Sequence, residues 1–364
     1  MLRPVLAVIA LALAAACGSS SQRAADDAGS PIDGGGMSGN IKTLASTPGE
    51  SAGIAVQGTN VYWLVSTSDS NAGPNGLLTM PTAGGAVTTL ATEPRPHAVA
   101  ADATNVYWTT DNDDPTATTG DGLLRMTPRA GGPTTTIATG LQPEVNQIAL
   151  GPTGVYWVSA GGTIAGTILM QTPLGGGTAT TIFSPPYAVQ VEAFAADATN
   201  VYWAESNSPV GKNAVATVDI VKMPLAGGTQ VTLASTSPCT GGSPCTALVV
   251  GSSSVFFSDG AGVESVPIAG GSVTTLVPRQ NVKPVAVDSG FVYLAEFAQQ
   301  VPFAQLLKVP LSGGTPKLLA SLSETLDYLT GVAIDGTSLY FATTEFCTDG
   351  GSAPCAVVKK VTPK

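Results

Sequence analysis

An aromatic residue followed by a second bulky residue, aromatic in six of seven copies, recurs seven times along this chain, and no other feature limits its possible folds as much. The copies are Tyr62-Trp63, Tyr107-Trp108, Tyr156-Trp157, Tyr202-Trp203, Phe256-Phe257, Tyr293-Leu294 and Tyr340-Phe341. The spacing is 37 residues at its shortest (Phe256 to Tyr293) and 54 at its longest (Tyr202 to Phe256). Eight residues before each copy stands a bulky apolar residue: Ile54, Val99, Ile148, Phe194, Leu248, Val285 and Val332. The next residue is Ala in six of the seven copies, with Val249 as the exception. Downstream comes a second anchor, Pro-x-x-Gly-Gly, at Pro81, Pro128, Pro173, Pro224, Pro267 and Pro310, usually followed by a Thr-rich stretch such as Val87-Thr88-Thr89-Leu90.

Each copy therefore contains four short strands. Strand A ends near the small residue, strand B carries the aromatic pair, strand C precedes the Pro, and strand D follows the Gly-Gly. Tight turns such as Gly58-Thr59-Asn60 join A to B, and the Gly-Gly turn joins C to D. Four strands at this period predict the blades of an all-β, seven-bladed β-propeller with four-stranded antiparallel blades. The small residue in strand A suits innermost strands crowded around an axis. The seventh copy stops at Pro363-Lys364, short of its strand D. The missing strand has a match at the other end of the sequence, where residues 38–46 align with 84–92. The last blade is thus expected to be closed by the N-terminal strand, which hides strand edges.

Composition agrees with this class. Hydrophobic residues reach 43% and charged residues only 11%, with 43 Gly and 27 Pro for the turns. The net charge of −10 and the lack of a Lys/Arg run argue against a nucleic-acid partner.

The first residues read as an address. Arg3 is followed by an apolar run from Val5 to Ala16, too short to span a bilayer and suited to a signal peptide. The run ends in Leu13-Ala14-Ala15-Ala16-Cys17, which resembles a bacterial lipobox, although the family favours Leu where Ala14 stands. The resemblance implies a lipoprotein: a signal peptide over 1–16, a lipidated Cys17 with a flexible Ser/Gly/Asp-rich tether over 17–38, and the propeller over 39–364. It places the protein in the bacterial cell envelope, on the outer membrane or cell surface rather than the inner membrane. Four cysteines remain, as Cys239/Cys245 and Cys347/Cys355. Each pair closes a short Gly/Ser/Pro loop, so two local disulfides are expected. Zinc fits poorly, because neither spacing matches a structural zinc knuckle.

The strand with Tyr107-Trp108-Thr109-Thr110-Asp111 resembles the YWTD repeat of lipoprotein-receptor propellers, and the strand A pattern is similar to NHL-type propellers. That resemblance implies architecture; propellers host many activities. In YWTD repeats the matching acid is largely structural. Streptogramin-lyase-like propellers depend on several histidines, and this chain has one.

The B–C and D–A links emerge on one face and carry nearly all the length variation, which marks that face for binding. Candidate residues there are His97, Asp111, Glu205, Asp259, Glu296 and Glu345. Asp102, Asp197, Asp288 and Asp335 lie on the opposite, short-turn face as turn residues. Asp111-Asn112-Asp113-Asp114 looks cation-binding, but Pro115 interrupts the EF-hand spacing. No nucleophile elbow, phosphate loop or metalloprotease motif is found, so no catalytic residue, metal or cofactor is assigned. The expectation is a monomeric, non-enzymatic binding or scaffold lipoprotein, its ligand a protein or glycan of unknown identity, with the membrane reached through the anchor. The alternative is a hydrolase or lyase with acidic residues such as Glu205, Asp259 and Glu296 at the channel mouth.

Overall fold

The computed structural model describes residues 40–67, 75–111, 122–142, 145–160, 167–184, 189–207, 217–236, 247–297, 304–322, 328–347 and 353–364. Every regular element among them is a strand, and the strands form seven four-stranded antiparallel sheets. Blades 1 to 6 span residues 50–92, 96–141, 148–183, 189–236, 248–277 and 282–321. Blade 7 takes three strands from 328–362, and its fourth is the N-terminal strand Asn40–Pro48. That strand pairs antiparallel with Pro354–Thr362, from Asn40 opposite Thr362 to Pro48 opposite Cys355. Strand A of each blade packs on strand A of both neighbours, all the way round. The chain is a closed seven-bladed propeller with strand A innermost, as the repeat predicts. No helix among the described residues is long and apolar enough to cross a membrane.

The aromatic pair explains how the blades hold together. Consecutive strand residues point to opposite faces of a sheet. Tyr-Trp therefore sets one ring against the next blade and one against the previous blade. Tyr62 of blade 1 shares a core layer with Trp108 of blade 2, Tyr107 with Trp157, Tyr156 with Trp203, and Tyr202 with Phe257. Phe256 meets Leu294, Tyr293 meets Phe341, and Tyr340 meets Trp63, which closes the circle. The apolar core is thus seven wedges between blades. Each fully buried ring removes on the order of 150–250 Å² from water.

The short-turn face is built from one repeated device. The OH groups of Tyr107, Tyr202, Tyr293 and Tyr340 donate to Oδ2 of Asp102, Asp197, Asp288 and Asp335 at 2.9, 2.7, 2.8 and 2.7 Å. The other carboxylate oxygen accepts backbone N–H groups two and three residues on, such as Thr199 and Asn200 for Asp197. This Asx turn fixes the A–B link. Burial pushes these carboxyls up, but the N–H and O–H donors outweigh it and hold all four below the usual Asp range; at Asp288 the Lys364 ammonium adds to them. Blades 3 and 5 carry Gly instead. A Cβ at Gly151 would lie 2.8 Å from Cε2 of Tyr156, and one at Gly251 3.1 Å from Cε2 of Phe256, so a side chain at either would force the ring to shift.

Cations then stitch neighbouring blades on this face. Lys222 Nζ donates to Ile268 O at 2.6 Å, Lys308 Nζ to Lys364 O at 2.7 Å, and Lys360 Nζ to Thr82 O at 3.1 Å. Arg129 Nε donates to Tyr62 Oη at 2.8 Å and its Nη2 to Gln57 O at 2.6 Å. The C–D turns close with the first Gly amide donating to the Pro carbonyl, as from Gly84 to Pro81 at 2.9 Å. Both glycines of the pair sit at positive φ (93° and 139° at Gly84 and Gly85), where other residues are strained.

Candidate functional site

The long-loop face lies where strands A begin and strands B end. Two of its six expected residues meet. His97, at the start of strand A of blade 2, has Nε2 2.9 Å from Oδ2 of Asp111, just past the end of strand B. Their side chains are 17% and 9% exposed, so the pair is screened but reachable. The two residues are 14 apart in sequence, and the antiparallel A–B pairing brings them together.

The other four are tied within or beside their own blades. Glu205 Oε2 accepts Trp203 Nε1–H at 2.7 Å and sits across from Asp219 on strand C. Burial, with the Asp219 charge added, pushes its carboxyl up despite the Trp203 donor. Asp259 accepts the amides of Ala261 and Gly262 at 2.7 and 3.2 Å, capping the B–C turn of blade 5. Its neighbour Glu264 is buried, and burial followed by the Asp259 charge raises that carboxyl also. Glu296 receives Arg279 Nη1 on both oxygens at 2.8 and 3.1 Å. Glu345 pairs with Lys359. Glu205, Asp259 and Glu296 belong to three different blades, and each has a partner within or beside its own blade. Among the described residues no three His, Cys, Asp or Glu gather as a metal shell. Asn112, Asp113 and Asp114 lie outside those residues.

Cys347 and Cys355 form a disulfide, with sulfurs 2.04 Å and Cα atoms 5.1 Å apart, across the B–C link of blade 7. Cys17, Cys239, Cys245 and the N-terminal address segment lie outside the described residues.

A ring of side chains escaped the sequence reading except for its member His97. Two residues before each apolar anchor of strand A stand Ala52, His97, Asn146, Glu192, Thr246, Lys283 and Thr330. Thr246 lies outside the described residues. Lys283 faces Ala295, and Glu192 and Thr330 occupy bulges beside Ala204 and Ala342, each level with the second residue after its strand B aromatic. Because strands A are innermost, this position rings the mouth of the channel. Glu192 Oε1 accepts Ser206 Oγ–H at 2.7 Å, and Thr330 Oγ1 lies 2.8 Å from Ser51 Oγ. Asn146 Oδ1 is buried and has no hydrogen-bond partner. Lys283 is 7% exposed; burial pushes its ammonium down to about 8, with the Glu192 charge pulling partly back.

The backbone singles out the same ring. Arg95 (φ 42°) and Asn281 (φ 61°) are the two non-Gly residues at positive φ among the described residues. Each stands two positions before a ring residue, His97 and Lys283. Such strain persists only where the surroundings enforce it, and it gathers at working sites. Reading the repeat as aligned columns would have found the ring, because this column changes chemistry from blade to blade while the columns beside it are mostly apolar, with Ser51 and Gln147 as exceptions.

No protein-family model and no curated protein sequence matches the chain. Solved structures share its fold. The β-propeller domain of the Trilobed protease from Pyrococcus furiosus, described as having an open velcro topology, superposes with a TM-score of 0.62 at 10% identity over 86% of this chain and 98% of that one. Pyrococcus horikoshii acylaminoacyl peptidase gives 0.57 at 9% identity, over 85% of this chain and 50% of its own. A prolyl endopeptidase gives 0.55 at 15% identity, over 86% and 47%. The chain spans about half the length of these two peptidases. At such identities the likeness establishes the propeller fold. The expectation of a non-enzymatic binding or scaffold protein is corrected on one point: these three structures of the same fold are parts of peptidases, which favours the hydrolase alternative over it.

Proposed function

We propose that the chain is a hydrolase-type propeller that engages substrate at the channel mouth on its long-loop face, with His97 taking the proton and Asp111 orienting it. The His97–Asp111 contact at 2.9 Å carries this reading. An ionised carboxylate only accepts, so the contact assigns the proton to Nε2 and leaves the Nδ1 lone pair as the base. A base held in one tautomer by a carboxylate is what proton abstraction from water or a hydroxyl requires. Peptide and ester bonds are the substrates to try, in keeping with the peptidases that share the fold. The test is turnover of a panel of peptide and ester probes by the purified chain. His97→Gln and Asp111→Asn should each lower kcat/KM by roughly 10²- to 10⁴-fold. A wild-type chain silent on every probe, or full turnover in His97→Gln, overturns the reading.

We also propose that the protein is exported and lipid-anchored through Cys17 in the bacterial envelope. Support comes from the apolar run ending in Cys17 and from a disulfide suited to an oxidising compartment. Cys17→Ser should move the protein from membrane to soluble fractions; unchanged fractionation refutes the anchor.

A further inference from the structure

We infer that Thr109 is a positioning residue for His97: it aims the imidazole at Asp111 and so fixes which ring nitrogen is left to act as base, a role that rests on the hydrolase reading of that pair.

His97 and Ala98 occupy a bulge. Pro96 pairs with Thr110 and Val99 with Trp108, so two residues of strand A stand against the single Thr109 of strand B. A bulge disrupts the ladder, and a buried amide there needs another acceptor. Thr109 Oγ1 supplies it, accepting from Ala98 N at 3.1 Å. The same hydroxyl donates to Val145 O, just ahead of strand A of blade 3, at 2.7 Å. Thr109 and Ala98 are both buried. A hydroxyl has one proton, and Val145 takes it, which leaves the lone pairs for Ala98. Blade 3 thus sets the hydroxyl, and the hydroxyl sets the bulge that carries His97.

The segment before His97 is tied as well. Asp111 N donates to Arg95 O at 3.3 Å, and Thr110 Oγ1 donates to Pro94 O. Those bonds hold the backbone of Asp111 and the strained Arg95. Thr109 holds the residue after His97, so the backbone under the imidazole is pinned on both sides. Hydroxyls are sparse at this column, where the other blades carry Leu64, Val158, Ala204, Ser258, Ala295 and Ala342. Ser258 of blade 5 makes the matching bond, accepting from Ala247 N at 3.0 Å. Blade 5 has Thr246 where blade 2 has His97. Ser258 therefore braces the same kind of strand with no imidazole beside it, which makes it the control.

His97 is the only histidine, so the ring nitrogens of the ¹⁵N-labelled full chain report on it alone. In alkaline buffer, where imidazole is neutral, the wild type should show one tautomer, protonated at Nε2. Thr109→Val keeps the shape and removes both hydrogen bonds. It should bring the two nitrogen signals together and lower kcat by roughly 10- to 100-fold with KM little changed. Thr109→Ser should restore the wild-type signals, and Ser258→Ala should leave them unmoved. Where the valine variant does not fold, Thr109→Ala takes its place. Comparable amounts of the two tautomers in the wild type overturn the inference with no variant needed. So do unchanged signals in Thr109→Val, or an equal change in Ser258→Ala. A chain silent on every peptide and ester probe sinks the hydrolase reading, while the nitrogen signals still decide whether Thr109 positions His97. Turnover lost in His97→Gln but kept in Thr109→Val sinks the role of Thr109 alone.

Discussion

The two faces of the ring are made from the same seven repeats, yet they are built on opposite terms. On the short-turn face the same chemistry returns blade after blade: an Asp caps its turn, a Tyr hydroxyl seals the cap, and a cation reaches to the next blade. Its carboxylates are satisfied and held low. On the long-loop face one column holds Ala, His, Asn, Glu, Lys and Thr in turn. Its groups are half-met: a buried amide oxygen lacks a donor, a lysine is driven toward neutrality, and two carboxyls are pushed up. Repetition serves assembly, because each interface must fit the next. Departure from repetition serves recognition, because a seven-fold uniform ring could not orient an asymmetric ligand. Stability and chemistry are thus assigned to opposite ends of the same strands.

Substitutions should separate the two faces. The largest stability loss is expected on the short-turn face. Asp197→Ala strands the Tyr202 hydroxyl and the amides of Thr199 and Asn200, costing about 2–3 kcal/mol in denaturant unfolding. The loss should fade in acid. The folded-state pKa is depressed, so the contribution is full above the ordinary Asp range and vanishes as pH falls through the folded value. On the other face, His97→Gln should cost at most about 1 kcal/mol in the same assay while lowering kcat/KM by roughly 10²- to 10⁴-fold. Equal costs at both sites would erase the distinction. The smallest effect, and of opposite sign, belongs to Glu264→Gln. Its carboxyl is raised, so the fold prefers the neutral form, and wild-type stability is lost as pH rises from the ordinary Glu range through the folded value. The variant should gain under about 1 kcal/mol at pH 7 and nothing at pH 3.

The aromatic pair, the Pro-x-x-Gly-Gly turn and the phase shift at the ends of the sequence led to the ring, its blade number and its closing strand. Those signals are local and repeated, so alternation and turn chemistry suffice to read them. The acids after strand B do not share one setting, although the sequence places them alike. Asp111 and Glu205 stand four and three residues past their tyrosines, and a shift of one residue turns a side chain to the other face. The His97–Asp111 contact could not be read that way, because it needs antiparallel pairing across a hairpin.

The residues alone therefore determined the strands, their order and the faces on which the links emerge, because backbone sterics and side-chain alternation act within a few residues. Only the closed ring decided which side chains meet at the channel mouth and which are left wanting a partner. Those are matters of burial and distance between blades, set by the curvature that seven aromatic wedges impose together.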